Sequence, residues 1–214
     1  ATERGGKGEW TARGPWNVRG RTRALALDLN NKKLILAGRV SAGLWLSEDA
    51  GAHWERRTPL DAHPGCVSIA QDTRAGKTHV WYYLSGEIYG TSASGGSAFY
   101  LGDGLFKSTD NGLNWSPVTS TAGGNAAAFT SLFQGGWRVV TDPASDTTRE
   151  VLVMATVGGI WRSANGGATW TAVRGGNINS YSYFTDVAVT SKGIFYATLS
   201  DEGPHKGIWR STDG

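Results

Sequence analysis

The sequence is poor in cysteine and histidine and has no long apolar segment, which argues against disulfides, metal sites and membrane spans. Its single cysteine, Cys66, rules out an intrachain disulfide and is interpreted as a small buried residue of a predicted strand. No apolar run approaches the roughly 18–20 residues of a transmembrane helix. The histidines are too scattered to predict a metal site, and no cofactor is predicted. They are His53, His63, His79 and His205.

Charge and catalytic motifs are also sparse. The 21 Lys and Arg against 18 Asp and Glu give a net charge of +3, too small and too dispersed to predict a nucleic-acid or membrane partner. The sequence contains no G-x-S-x-G elbow. Its glycine pairs at 95–96 and 123–124 lack the strand–helix context of a phosphate loop. The sequence alone therefore assigns no catalytic residue.

Glycine and tryptophan are abundant, at 31 and 10 residues, and they belong to a repeated hairpin. The pattern S-x-[DN]-x-G-x-x-W occurs at 47–54, 108–115 and 163–170, and its first half recurs at 211–214. Each copy follows a G-[LI]-[WF]-type run. The serines lie 61, 55 and 48 residues apart, and because a four-stranded blade needs roughly 40–50 residues, each copy predicts one β-propeller blade.

Each position of the hairpin has a physical role. The Ser and Asp side chains accept hydrogen bonds from the turn backbone, the glycine allows a positive φ, and the tryptophan packs between neighbouring blades. Because Asn165 replaces the aspartate in the third copy, these residues are interpreted as structural rather than catalytic. The structural set is Ser47, Asp49, Gly51, Trp54, Ser108, Asp110, Gly112, Trp115, Ser163, Asn165, Gly167 and Trp170.

The sequence predicts an all-β protein, a β-propeller of four-stranded antiparallel blades that forms an incomplete part of a larger propeller. The blades are expected at about 24–58, 66–118, 137–173 and, incomplete, 184–214. Residues 9–13 resemble the outer strand of the other blades and are expected to close a ring as an orphan outer strand. The sequence starts at Ala1 without a methionine. This start suits a secreted protein after removal of its signal peptide, and it equally suits a sequence taken from within a longer chain.

The hairpins resemble the Asp-box, or BNR repeat, of sialidases, sortilin-type (Vps10) propellers, family-74 xyloglucanases and photosystem-assembly propellers. The resemblance implies the fold and places a binding or active site on the face opposite the hairpins. The long segments 86–103 and 119–136 are expected on that face. A second resemblance, over residues 14–28, is to sortilin-like propellers of Bacteroidetes proteins exported by the type IX system. It implies a secreted or cell-surface protein that uses that secretion machinery.

Three functions are compared. A sialidase needs an arginine cluster, but residues 20–24 lack the aromatic and the proline of the sialidase motif. A xyloglucanase-like glycoside hydrolase needs two carboxylates and aromatic platforms; Glu87, Asp103, Asp201 and Glu202 are available without a diagnostic spacing. A non-catalytic binding or adhesion module, with a protein or glycan ligand, is the preferred interpretation. Candidate ligand-binding residues are Arg21, Arg23, Arg39, Glu87, Tyr89, Tyr100, Asp103, Tyr181 and Tyr183.

Overall fold

The computed structural model describes residues 11–14, 21–58, 65–88, 100–123, 127–146, 148–179, 184–200 and 203–214. These residues form four antiparallel sheets in which consecutive strands are neighbours. The first two sheets contain β1 (Thr22–Leu27), β2 (Ile35–Arg39), β3 (Gly43–Ser47) and β4 (Glu55–Arg56), then β5 (Cys66–Gln71), β6 (Trp81–Ser85), β7 (Leu105–Ser108) and β8 (Ser116–Pro117).

The third and fourth sheets repeat this order, the fourth with three strands among the described residues. They contain β9 (Gly136–Thr141), β10 (Leu152–Thr156), β11 (Gly159–Ser163) and β12 (Thr171–Gly175), then β13 (Thr185–Val189), β14 (Phe195–Leu199) and β15 (Gly207–Ser211). The described helices are short 3-10 turns at Leu132–Gln134 and Gly203–His205. In this part of the chain no helix has the length and apolar character to cross a bilayer.

The sheets pack face to face, with one apolar cluster between each successive pair. Leu36 and Leu44 of the first sheet pack against Trp81 and Tyr83 of the second. A second cluster joins the second and third sheets, and a third joins the third and fourth. The first strands of the sheets also lie side by side, β1 beside β5, β5 beside β9 and β9 beside β13. The sheets are therefore blades arranged around a common axis, and the predicted all-β propeller fold is confirmed.

The two end sheets each expose apolar side chains on the face that points away from the arc. Ala24 of β1 packs toward the second sheet, so the alternating residues Leu25 and Leu27 point to the opposite face, where they are 65% and 56% exposed. On the last sheet Ile208 is 80% exposed. In the middle sheets both faces pack against a neighbouring blade. The four sheets thus have the form of an arc of a propeller.

Only part of the predicted orphan outer strand lies within the described residues, since Trp10 is outside them. Arg13 lies against the first hairpin, where its carbonyl oxygen accepts a hydrogen bond from Trp54 Nε1 at 2.7 Å. A Cβ on Gly51 would lie 3.0 Å from Arg13 Cβ, and a Cβ on Gly167 would lie 3.0 Å from Val118 Cγ1. Because Val118 directly follows β8, Arg13 occupies the place of an outer-strand end on the flank of the first sheet.

The described pairing of β15 is with β14. Residues 11–14 lie at the first hairpin and have no strand assignment. Closure of a four-bladed ring by bonds between residues 9–13 and 207–211 therefore has no support from residues 11–13. Residues 9 and 10 lie outside the described part of the chain.

Candidate functional site

The repeated hairpins lie between the third and fourth strands of their sheets, and each closes on itself. In the second copy Gly112 N donates to Ser108 Oγ at 2.9 Å, Asn114 N donates to Asp110 Oδ1 at 2.9 Å, and Trp115 Nε1 donates to the Gly112 carbonyl at 2.9 Å. The third copy repeats these contacts with Asn165, whose Oδ1 accepts from Thr169 N at 2.9 Å. The aspartate position therefore acts as a backbone acceptor, and its charge is dispensable for that role.

The turn contains two consecutive left-handed residues, of which the sequence analysis foresaw one. The glycine positions have φ values of 87°, 81° and 90°, and the preceding residues Ala50 and Asn111 have φ values of 61° and 60°. Gly166 takes the same preceding position in the third copy, at 67°. Because alanine rarely adopts this conformation, the first hairpin holds Ala50 in a conformation that costs free energy.

A cleft of ≈600 Å³ opens between the first halves of β1, β5, β9 and β13, and we call it the inner-strand cleft. These four strands are the inner strands of their sheets, so residues from all four sheets meet at this cleft. The residues that line it include Arg23, Ser68, Trp137, Arg138, Phe184 and Asp186.

A buried carboxylate holds two arginines beside this cleft. Glu87 is 2% exposed; its Oε2 accepts a hydrogen bond from Arg21 Nη2, and its Oε1 lies 3.3 Å from Arg23 Nε. The backbone of Glu87 is fixed by a bridge to Tyr100, in which each N–H donates to the other carbonyl. The two arginine side chains remain 38% and 37% exposed. Glu87 therefore positions arginines and does not itself reach the surface, which corrects its expected role as a ligand contact.

An aromatic pair and an ion pair form the opposite side of the cleft. The rings of Trp137 and Phe184 have centroids 5.4 Å apart with an interplanar angle of 47°. Arg138 Nε donates to Asp186 Oδ1, and Arg138 Nη2 lies 3.4 Å from Asp186 Oδ2. The guanidinium of Arg23 lies 5.8 Å from the ring centroid of Trp137, within cation–π range. The cleft thus combines apolar rings with charged groups that are oriented by partners.

The other predicted ligand-binding residues do not join this cleft. Arg39 is 6% exposed, so its expected contact with a ligand is corrected to an interior position. Asp103 accepts a hydrogen bond from Gly123 N at 2.8 Å and thereby links the two long segments. Tyr100 is exposed beside Glu87. Tyr89, Tyr181 and Tyr183 lie outside the described residues, and their binding role stays a prediction. The carboxylates Asp201 and Glu202 also lie outside them, and their part in a glycoside hydrolase site stays a prediction.

Sequence reasoning missed four cleft residues: Trp137, Arg138, Phe184 and Asp186. They lie at or just before the start of β9 and β13, the first strands of the third and fourth blades. A signal was present, because an aromatic residue precedes a charged one by one or two positions at both strand starts. The repeat pattern consists of positions that the blades share, and these four residues are not among them.

Several other buried polar groups have structural partners. Arg74 binds Asp72 and donates from Nη1 to the carbonyls of residues 146 and 149, which joins the second sheet to the third. Burial, together with the hydrogen bond that Tyr82 donates to Glu150, raises the pKa of Tyr82. Burial likewise raises the pKa of the Cys66 thiol, so the thiol stays protonated. Among the described residues no cluster of His, Cys, Asp and Glu could hold a metal ion.

Comparisons with known proteins give a relative in sequence and several solved structures of similar fold. No protein family matches the sequence. The chain is 30% identical over 128 residues to a xyloglucanase of Hypocrea jecorina (strain QM6a), a match that covers 51% of this chain and 15% of the relative. An ancestral GH74 enzyme matches in structure with a TM-score of 0.58, 18% identity and coverage of 91% and 26% of the two chains.

Two further solved structures have the same fold. A GH74 enzyme from Niastella koreensis gives a TM-score of 0.56 at 20% identity, covering 88% of this chain and 28% of the enzyme. YCF48 from Cyanidioschyzon merolae gives 0.54 at 16% identity, covering 87% and 52%. The chain therefore spans only about a quarter of the GH74 enzymes and less of the xyloglucanase. At these identities the structural matches establish the propeller fold alone.

Proposed function

We propose that this chain is part of a secreted glycan-acting β-propeller of the glycoside hydrolase type, and that its inner-strand cleft contacts the polysaccharide. The similarity to a xyloglucanase supports this proposal and suggests xyloglucan as the first polymer to test. The likeness to GH74 enzymes is consistent with it at the level of the fold. A polysaccharide substrate also implies that the protein acts outside the cell or at its surface.

The observation that carries the proposal is the aromatic pair in the cleft. A sugar ring has apolar C–H faces and polar hydroxyl edges, so it binds where an aromatic surface lies beside hydrogen-bonding groups. Trp137 and Phe184 supply the aromatic surface, and Arg138 and Asp186 supply charged donors and acceptors beside it. All four residues line the same cleft.

Within this cleft the described residues are assigned to binding, with no catalytic role. A glycosidase needs two carboxyl groups that face the scissile bond, one of which donates a proton. Glu87 is enclosed by two arginines and is 2% exposed, so it cannot contact a sugar. Both oxygens of Asp186 are engaged by Arg138. This observation favours a second candidate, a glycan-binding module without hydrolytic activity.

Binding of xyloglucan oligosaccharides to the 214-residue chain, measured by isothermal titration calorimetry, tests the proposal. Trp137→Ala should weaken binding at least about tenfold, because truncation removes the stacking surface. Trp209→Ala, a tryptophan substitution outside the cleft, is the matched control and should bind as the unmodified chain does. Circular dichroism spectra of both variants check that they are folded.

Release of reducing ends separates the two candidates. Hydrolysis above a heat-inactivated control supports the enzyme, whereas binding without product supports the binding module. The absence of both binding and hydrolysis with xyloglucan would contradict the assignment of that polymer.

A further inference from the structure

Arg23 is a cleft residue whose two terminal guanidinium nitrogens can donate hydrogen bonds to a ligand. Its Nε lies 3.3 Å from Glu87 Oε1 in an ion pair, and its guanidinium lies 5.8 Å from the ring centroid of Trp137. These contacts fix the orientation of the group at the edge of the cleft that it lines. No described residue accepts a hydrogen bond from its two terminal nitrogens.

The second cleft arginine differs in this respect. Arg138 uses both Nε and Nη2 on Asp186, and the two residues form a neutral pair. Glu87, by contrast, provides one negative charge for the two guanidinium groups of Arg21 and Arg23. Arg23 therefore shares the carboxylate that it contacts with a second guanidinium, whereas Arg138 contacts Asp186 through two of its own nitrogens.

We propose that Arg23 binds the carboxylate of an acidic sugar, so that the glycan recognised by the inner-strand cleft carries uronic acid residues. The planar guanidinium and the carboxylate match in geometry, and a charge-assisted hydrogen bond is stronger than a neutral one. Because Glu87 and Trp137 already hold the guanidinium, little side-chain entropy is lost on binding. This inference rests on the proposed glycan-binding function and names the substrate class for the same cleft.

The chain contains a matched control arginine. Arg174 packs 4.2 Å from the ring centroid of Trp209, and its Nη1 donates to the Val173 carbonyl at 2.8 Å. It is therefore also an arginine beside a tryptophan, but it is not part of the inner-strand cleft. Replacing either arginine by glutamine removes one charge from the protein, so the two variants separate a local effect from a change in net charge.

Binding of trigalacturonic acid and of its methyl ester to the 214-residue chain, by isothermal titration calorimetry, tests the inference. The ester keeps the sugar rings and removes the negative charge. The acid should bind about tenfold more tightly than the ester, and added salt should reduce that advantage. Arg23→Gln should abolish the preference, and Arg174→Gln should preserve it.

The remaining outcomes each overturn the inference in a distinguishable way. If xyloglucan binds and the acid has no advantage over its ester, the acidic ligand is wrong and the proposed function stands. If none of the three sugars binds, both fail. A preference that survives in Arg23→Gln, or binding of a polyglutamate peptide in place of the sugar acid, also contradicts the assignment. Binding of the acid without xyloglucan supports the inference and removes xyloglucan as the ligand.

Discussion

The polar groups of the repeated hairpins pair with residues nearby in the sequence, whereas those of the inner-strand cleft pair with residues far away in the sequence. In the hairpins the partners lie two to four residues apart, as in the bonds of Ser108 and Asp110. In the cleft they lie 66 residues apart for Arg21 and Glu87 and 48 for Arg138 and Asp186. Local closure makes the hairpin transferable from blade to blade, whereas the cleft depends on which blades are neighbours. The hairpins therefore define the fold, and the cleft is where this chain can differ from other propellers.

The comparison can be tested by substitution, and the largest loss of stability is expected for Trp115→Ala in the second hairpin. The indole packs edge-on against Tyr83, with centroids 4.9 Å apart, in the cluster between the first two sheets. Its loss should reduce the free energy of unfolding by about 3 kcal/mol, since a large side chain is removed from a packed interface. Urea denaturation measures the change. Leu113→Ala, an exposed position in the same hairpin, should stay within about 0.5 kcal/mol. An unchanged midpoint for Trp115→Ala would show that the hairpins are not what holds the blades together.

The next largest effect is expected beside the cleft, from Glu87→Gln. The substitution removes the buried anion between Arg21 and Arg23, and the two guanidinium groups then repel each other. A loss of about 2 kcal/mol is expected, which is less than for a fully buried pair because both arginines are partly exposed. Asp186→Asn, at an ion pair with both partners half exposed, should cost under about 1 kcal/mol. Equal losses of unfolding free energy in Glu87→Gln and Asp186→Asn would contradict the buried position of Glu87 between the two arginines.

A smaller effect is expected when the acceptor of one hairpin is removed. Asp110→Ala leaves the N–H of Asn114 without its acceptor and should cost about 1 kcal/mol. Asp110→Asn should be nearly neutral, because Asn165 makes the equivalent bonds in the third hairpin. Thermal denaturation of the two variants gives the comparison. If Asp110→Asn were as damaging as Asp110→Ala, the charge itself would be required, and the hairpins would not be interchangeable.

The sequence predicted the hairpins well and the cleft poorly for the same physical reason. Local hydrogen bonds leave a pattern in consecutive residues, so the roles of Ser108, Asp110 and Gly112 could be read directly. The left-handed conformation of Ala50 could not, since it follows from the hydrogen bonds of its neighbours in the turn and not from its own preference. The propeller fold then followed from the repeat.

The cleft needs contacts between blades, which no local pattern reveals. Arg21, Arg23 and Glu87 were all named as candidates, but nothing in a single sequence shows that the carboxylate lies buried between the two arginines. Trp137 and Asp186 were not named as candidates, because the expected binding residues were sought mainly in the long variable segments. Arg39 was predicted to bind a ligand, yet β2 carries it into the interior.

The smallest effect concerns pH and separates the first hairpin from the third. Hydrogen bonds from the backbone and the ring of His53 hold the pKa of Asp49 well below its usual value. A lowered pKa in the folded state stabilises the protein above the unfolded value of about 4, and this contribution is lost as the pH falls further. Asn165 does not titrate, so the third hairpin has no such dependence. Asp49→Asn should therefore be less stable than the unmodified chain at pH 7, and the difference should shrink below about pH 4. Urea midpoints measured along this pH range check the convergence. Because Asp49 is exposed to solvent, the effect should be small, and a difference that grew on acidification would contradict the assigned hydrogen bonds.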